Sequence, residues 1–133
     1  MNTKILMTIT SLILALAGLV ALFAPENVLA VFNTPLTNSL SVPVQLLGAL
    51  YFGFALMDWT AKDSAIGGIY ARPVSLGNFG HFLTGGLLLF RYQFSNPFNL
   101  SIVILFSIYA IFAFLFYWLV FHATGIALDK TSS

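Results

Sequence analysis

The chain has 133 residues, 59% hydrophobic and 16% aromatic, with five basic and four acidic side chains and a formal net charge of +1. A soluble domain needs a mostly polar surface, and 7% charged residues, against roughly a quarter in ordinary domains, cannot supply one. So little charge gives no hold on a polyanion, which excludes nucleic acid as a partner, and the lack of cysteine excludes disulfides, thiolate metal sites and iron–sulfur clusters.

The charges leave four long uncharged intervals: Ile5 to Pro25, Asn27 to Met57, Pro73 to Phe90 and Tyr92 to Leu128. About 20 mainly apolar residues carry a helix across the hydrocarbon core. The first interval predicts a helix over residues 4–24, closed by Pro25. Lys4, the apolar run Ile5 to Leu14 and the triplet Ala15-Leu16-Ala17 also resemble a secretory signal peptide. The run continues to Ala24, however, longer than a signal core needs, and this favours a retained span. The second interval exceeds one span, and Asn33, Thr34, Pro35, Thr37, Asn38 and Ser39 mark a loop within it. The second helix is therefore placed at 41–60, with Pro43 in its first turn. Pro73 suits the first position of a third helix at 73–91. Gln93, Ser95, Asn96, Pro97 and Asn99 form the next loop, and the fourth helix takes 99–122. The expected fold is all-α: a polytopic membrane protein built as one antiparallel four-helix transmembrane bundle over residues 1–133.

Trp and Tyr favour membrane interfaces, which assigns Trp59, Tyr70, Tyr117 and Trp118 to one belt and Tyr92 to the other. Lys4, Lys62, Arg72 and Lys130 fall on one side of this arrangement and only Arg91 on the other. The positive-inside rule then puts both termini in the cytoplasm, with the protein in the inner (plasma) membrane.

Helices in lipid approach one another at small residues. Ser11, Ala15, Gly18 and Ala21 form such a stripe on the first helix. Gly48, Ala49, Gly53 and Ala55 thin the second, with Ala49 and Gly53 one turn apart. Gly77, Gly80, Gly85 and Gly86 give the third a central packing role. The fourth, rich in Ile, Leu and Phe, reads as the most lipid-exposed.

Polar groups at membrane depth are functional candidates. His81 falls near the middle of the third helix, and Asn78 and Thr84, three residues to either side, are expected on its face. Tyr51, Tyr109, Ser107 or Ser11 could meet them from other helices. Together Tyr51, Asn78, His81 and Thr84 form a candidate site for a proton or a small lipophilic ligand. The structural alternative is a neutral His81 that hydrogen-bonds Tyr51 or Asn78 and fixes register. A second candidate region gathers Asp58, Trp59, Lys62, Asp63, Gly67, Gly68, Tyr70, Arg72 and His122 at the cytoplasmic face, where Asp58 and Lys62 stand at ion-pair spacing. It suits an anionic lipid or a partner protein, or serves only as interfacial anchoring. Arg91 reads as snorkelling at the outer face, and Asp129 and Lys130 as a solvated tail.

No metal site is expected, because His122 lies about 18 Å from the level of His81 and one subunit cannot join them. No phosphate loop, HExxH, GxSxG or intramembrane carboxylate pair occurs, so neither an enzyme nor a cofactor is expected.

The stretches Gln45-Leu-Leu-Gly-Ala-Leu-Tyr-Phe-Gly-Phe, Gly67-Gly-Ile-Tyr-Ala-Arg-Pro and Leu76-Gly-Asn-Phe-Gly-His-Phe resemble small uncharacterised bacterial four-helix membrane proteins, as does the Leu22-Phe-Ala-Pro-Glu26 ending of the first helix. The layout is loosely similar to DoxX-like proteins. That resemblance implies an inner-membrane protein and no particular activity. The functional expectation is a non-catalytic accessory or assembly subunit whose partners are the bilayer, further copies of itself or a larger membrane complex. The alternative is a binding or transport module for a small lipophilic ligand at His81.

Overall fold

A computed structural model of the chain describes residues 3–63 and 71–122, and among these all regular structure is helical. Five helices occur: α1 (Thr3–Phe23), α2 (Pro25–Val31), α3 (Asn38–Ala61), α4 (Ala71–Ser95) and α5 (Leu100–Phe121). Three of them, α1, α3 and α5, are long and apolar enough to cross a membrane. The chain divides into two units, Met1–Asp63 and Ser64–Ser133.

In the first unit α1 packs on α3. Lys4 pairs with Asp63, the Ser11 hydroxyl donates to the Ala55 carbonyl at 2.8 Å, Gly18 abuts Gly48, and the Gln45 amide donates to the Leu22 carbonyl at 3.1 Å. Partner numbers fall along α3 as they rise along α1, so the two helices are antiparallel. The Leu22 carbonyl lies in the last turn of α1, where carbonyls lack helical partners, and the Gln45 amide fills that need. A Cβ built on Gly18 would lie 2.8 Å from the Gly48 carbonyl oxygen, and one on Gly48 would lie 2.8 Å from the Gly18 carbonyl oxygen. The two backbones therefore touch where neither has a side chain.

The expected stripe on α1 places Ser11, Gly18 and Ala21 in the interior and Ala15 half-buried. On α3 the small residues divide differently. Gly48 and Ala55, seven residues apart and so on one face, are buried, whereas Ala49 and Gly53 point outward. Pro43 is the sixth residue of α3, beyond the first turn expected for it, and leaves the Ser39 carbonyl without its usual helical donor. The segment expected as a plain loop contains α2, with Pro25 at its start and Glu26 in its first turn. Asn33, at φ 52°, turns the chain out of it.

At the end of this hairpin Lys4 Nζ lies 2.7 Å from Asp63 Oδ1, with both side chains exposed. The hydrogen bond from Lys4, aided by the charges of Lys4 and Lys62, holds the Asp63 carboxyl below the ordinary aspartate value. A carboxylate with a depressed folded-state pKa contributes above its unfolded value and loses that contribution as pH falls through the folded one. The clasp is therefore expected to persist at neutral pH and open below about pH 4. A carboxyl NMR titration checks this: Asp63 should titrate below free aspartate, and Lys4→Met should move it up towards the ordinary value. The pair is exposed, so little effect on global stability is expected.

In the second unit α4 packs on α5 through aromatic rings. Phe79 meets Tyr117 and Phe121, Phe82 meets Phe112 and Phe116, and Phe90 meets Phe106, again a falling order that marks antiparallel helices. Ser75, Asn78, Phe82, Gly86 and Leu89 form the buried stripe of α4. Pro73 is the third residue of α4 rather than the first, and the helix runs past Arg91 to Ser95. Asn99 caps α5, its side-chain oxygen accepting from the Ser101 N–H at 3.0 Å. Seven residues of α5 are buried against four of α3, so α3 and not α5 is the more exposed of these two helices.

Candidate functional site

The middle of the α4–α5 pair holds the most developed polar feature of the second unit. His81 lies two residues from the midpoint of α4, a displacement of about 3 Å along its axis, and Tyr109 is equally central in α5. The Tyr109 hydroxyl and His81 Nε2 are 3.4 Å apart, in a hydrogen bond whose polarity follows the histidine tautomer. Their ring centroids are 5.5 Å apart, and the Phe82 ring stands edge-on to both, at 5.1 Å from His81 and 5.3 Å from Tyr109.

Glycine makes this possible. The Tyr109 ring lies against Gly85, where a Cβ would overlap its edge, and beside Gly86, where a Cβ would stand 3.6 Å from the Tyr109 Cβ. The paired glycines of α4 therefore seat Tyr109. Phe82 is 1% exposed and Tyr109 8%, while His81 is half-buried.

The other residues named for the cluster take the following positions within their own units. Asn78 is fully buried one turn before His81, and its amide donates to the Val74 carbonyl at 3.0 Å. Thr84 is exposed and turns its hydroxyl back to the Gly80 carbonyl at 2.7 Å and the His81 carbonyl at 3.4 Å. The physical reason is angular: two steps of three residues rotate about 120° around a helix, so Asn78 and Thr84 cannot share a face. Ser107 is likewise exposed and bonded to the Val103 carbonyl of its own helix. Tyr51 is half-buried on α3 of the first unit, and Ser11 serves the α1–α3 contact.

In the second candidate region, Asp58 is fully buried, Trp59 is 47% exposed and Arg72 is exposed. Lys62 Nζ stands over the Trp59 ring, 2.8 Å from its centroid, a cation–π contact with the residue next to Asp58, the partner expected from spacing. His122 ends α5 with its ring stacked on Trp118 at 4.4 Å and 5°. Gly67, Gly68, Tyr70, Asp129 and Lys130 lie outside the described residues.

Among the described residues no group of three His, Asp or Glu side chains is placed to hold a metal ion. What the His81–Tyr109 pair can do is donate and accept hydrogen bonds at the centre of a helix pair. No family model, curated protein or solved structure matches the chain.

Proposed function

We propose that the chain is a four-span protein of the bacterial inner membrane with both termini cytoplasmic, acting as a non-catalytic accessory or assembly subunit that packs with itself or a larger membrane complex. Two antiparallel hairpins support an even number of spans, because each returns the chain to the side it entered. The Lys and Arg distribution supports the orientation.

The outward face of α4 carries the assembly reading. α4 has 25 residues, about 37 Å of helix, enough to span, yet it is the one long helix that is not apolar enough to stand beside α1, α3 and α5 as a lipid-facing span. Away from α5 it presents Gly77, Gly80 and Thr84, and a Cβ built on Gly80 would meet nothing within 4 Å. Small residues gain little from contact with lipid tails and much from the backbone of another helix. A protein neighbour suits this face better than lipid does.

Chemical crosslinking in native membranes tests the reading. Wild type is expected to give crosslinked dimers or larger species, and Gly80→Leu to reduce their yield several-fold without changing expression. Recovery of monomer alone, or an unchanged pattern in Gly80→Leu, would overturn it.

A further inference from the structure

Beyond an assembly role, we propose that the Lys62 end of the α1–α3 hairpin holds a headgroup site for an anionic phospholipid, whose phosphodiester accepts from the Lys62 ammonium and the Trp59 indole N–H. The site rests on the four-span reading only for the leaflet it faces. Three observations carry it. First, the end of α3 lies at headgroup level. Its 24 residues make about 36 Å of helix against a hydrocarbon core of about 30 Å, and Trp59 sits in its last turn, 47% exposed. Indole rings favour this level, with the apolar face in contact with the chains and the N–H among polar groups. Second, the two donors are held together. Lys62 caps α3, and its ammonium stands 2.8 Å from the Trp59 ring centroid, so the ring face fixes the end of an otherwise flexible side chain. Third, neither donor is taken up. An ammonium has three N–H groups, and the ring face meets only one side of it. Among the described residues Lys62 has no hydrogen-bond acceptor or ion pair, and the Trp59 N–H has no acceptor. Asp58, one turn back on α3, is fully buried and lies beyond ion-pair distance of Lys62. Asp63 feels the charge of Lys62, but its carboxylate lies 2.7 Å from Lys4 Nζ, and the charges of that pair cancel. Lys62 is left as the surplus cation beside them.

The ligand class follows from the same geometry. A phosphodiester has two non-bridging oxygens, one for the ammonium over the ring and one for the N–H at the ring edge. A headgroup lies on the surface and needs no cavity, and the exposed indole meets the headgroup layer directly. Zwitterionic lipids carry an ammonium beside their own phosphate, and it repels Lys62. An anionic headgroup such as phosphoglycerol brings no such charge and is favoured.

Fluorescence quenching by brominated lipids tests this on the full chain in vesicles, because its two tryptophans are Trp59 and Trp118. Trp118→Phe leaves Trp59 as the sole reporter. The probes are phosphatidylglycerol and phosphatidylcholine with dibrominated acyl chains, present in both leaflets so that orientation does not matter. At low salt phosphatidylglycerol is expected to bind beside Trp59 about fivefold more strongly than phosphatidylcholine, the effect of one lysine at the surface. Lys62→Gln should abolish that preference and Lys62→Arg should keep it. Trp59→Phe, read at Trp118, should show no preference. Equal quenching by the two lipids at Trp59, a preference that survives Lys62→Gln, or the same preference at Trp118 would each overturn the proposal. So would its loss to inorganic phosphate at constant ionic strength, which would assign the two donors to a free anion. None of these outcomes depends on crosslinked species, so a failure here leaves the assembly reading to its own test.

Discussion

Replacing Gly48 by leucine is expected to force α1 and α3 apart at mid-hairpin and lower unfolding stability by about 3 kcal/mol, at the upper end for overpacked sites. A Cβ on Gly48 would stand 2.8 Å from the Gly18 carbonyl oxygen, 2.9 Å from the Leu22 nitrogen and 2.9 Å from the Ala21 Cβ. Two of these three atoms are backbone and cannot rotate away, so the helix itself must move. In lipid the loss is not offset, because close packing rather than water exclusion holds the helices together. Even Gly48→Ala should cost about 1–2 kcal/mol. Gly53 on the same helix supplies the control. A Cβ there meets nothing within 4 Å, so Gly53→Ala should be neutral or stabilising by up to about 1 kcal/mol through helix propensity. Unfolding of the full chain in bicelles measures both, and equal effects at the two glycines would refute the packing argument.

That contrast also shows how far the sequence could be read. Helix existence followed from uncharged length, which needs no tertiary knowledge, so all four long helices were expected within a few residues of where they lie. The face that each small residue occupies did not follow. Ala49 and Gly53 have the spacing of a packing pair yet point outward, while Gly48 and Ala55, two turns apart, do the packing. Composition marks a thin helix but leaves its rotation open, because both faces of α3 carry small residues. The short α2 was missed because only spans were sought, although Pro25 followed at once by Glu26 is a helix-start pattern. At the polar site, depth alone singled out His81 correctly as central. Tyr109 stood among several possible partners, and the feature that selects it, the flat seat at Gly85, depends on the register of α4 against α5. Thr84 was grouped with His81 by spacing, and the cumulative rotation of the helix carries it to the outside.

Phe82→Ala is the second substitution expected to have a large effect, about 2 kcal/mol of unfolding stability, confined to the α4–α5 pair. The ring is 1% exposed and nearly parallel to Phe112 at 5.0 Å and to Phe116 at 6.0 Å, with Tyr109 and His81 edge-on to it. In a water-soluble core the same truncation costs about 3–5 kcal/mol. Part of that figure is transfer from water, and a helix separated within a bilayer exposes its ring to lipid instead, so this part drops out. Lost dispersion contacts and the cavity left among four rings remain. Phe114, 63% exposed on α5, separates the two contributions, since Phe114→Ala removes the same atoms without opening a cavity and is expected to stay within about 0.5 kcal/mol of wild type. The prediction is sharpened by the first unit. If Phe82→Ala acts only where its ring packs, a disulfide between cysteines placed at Ser11 and Ala55 should form as readily as in wild type, because that pair reports the α1–α3 register. Loss of that crosslink would mean that the ring supports the whole chain, whereas its survival alongside reduced stability assigns the loss to the α4–α5 aromatic stack.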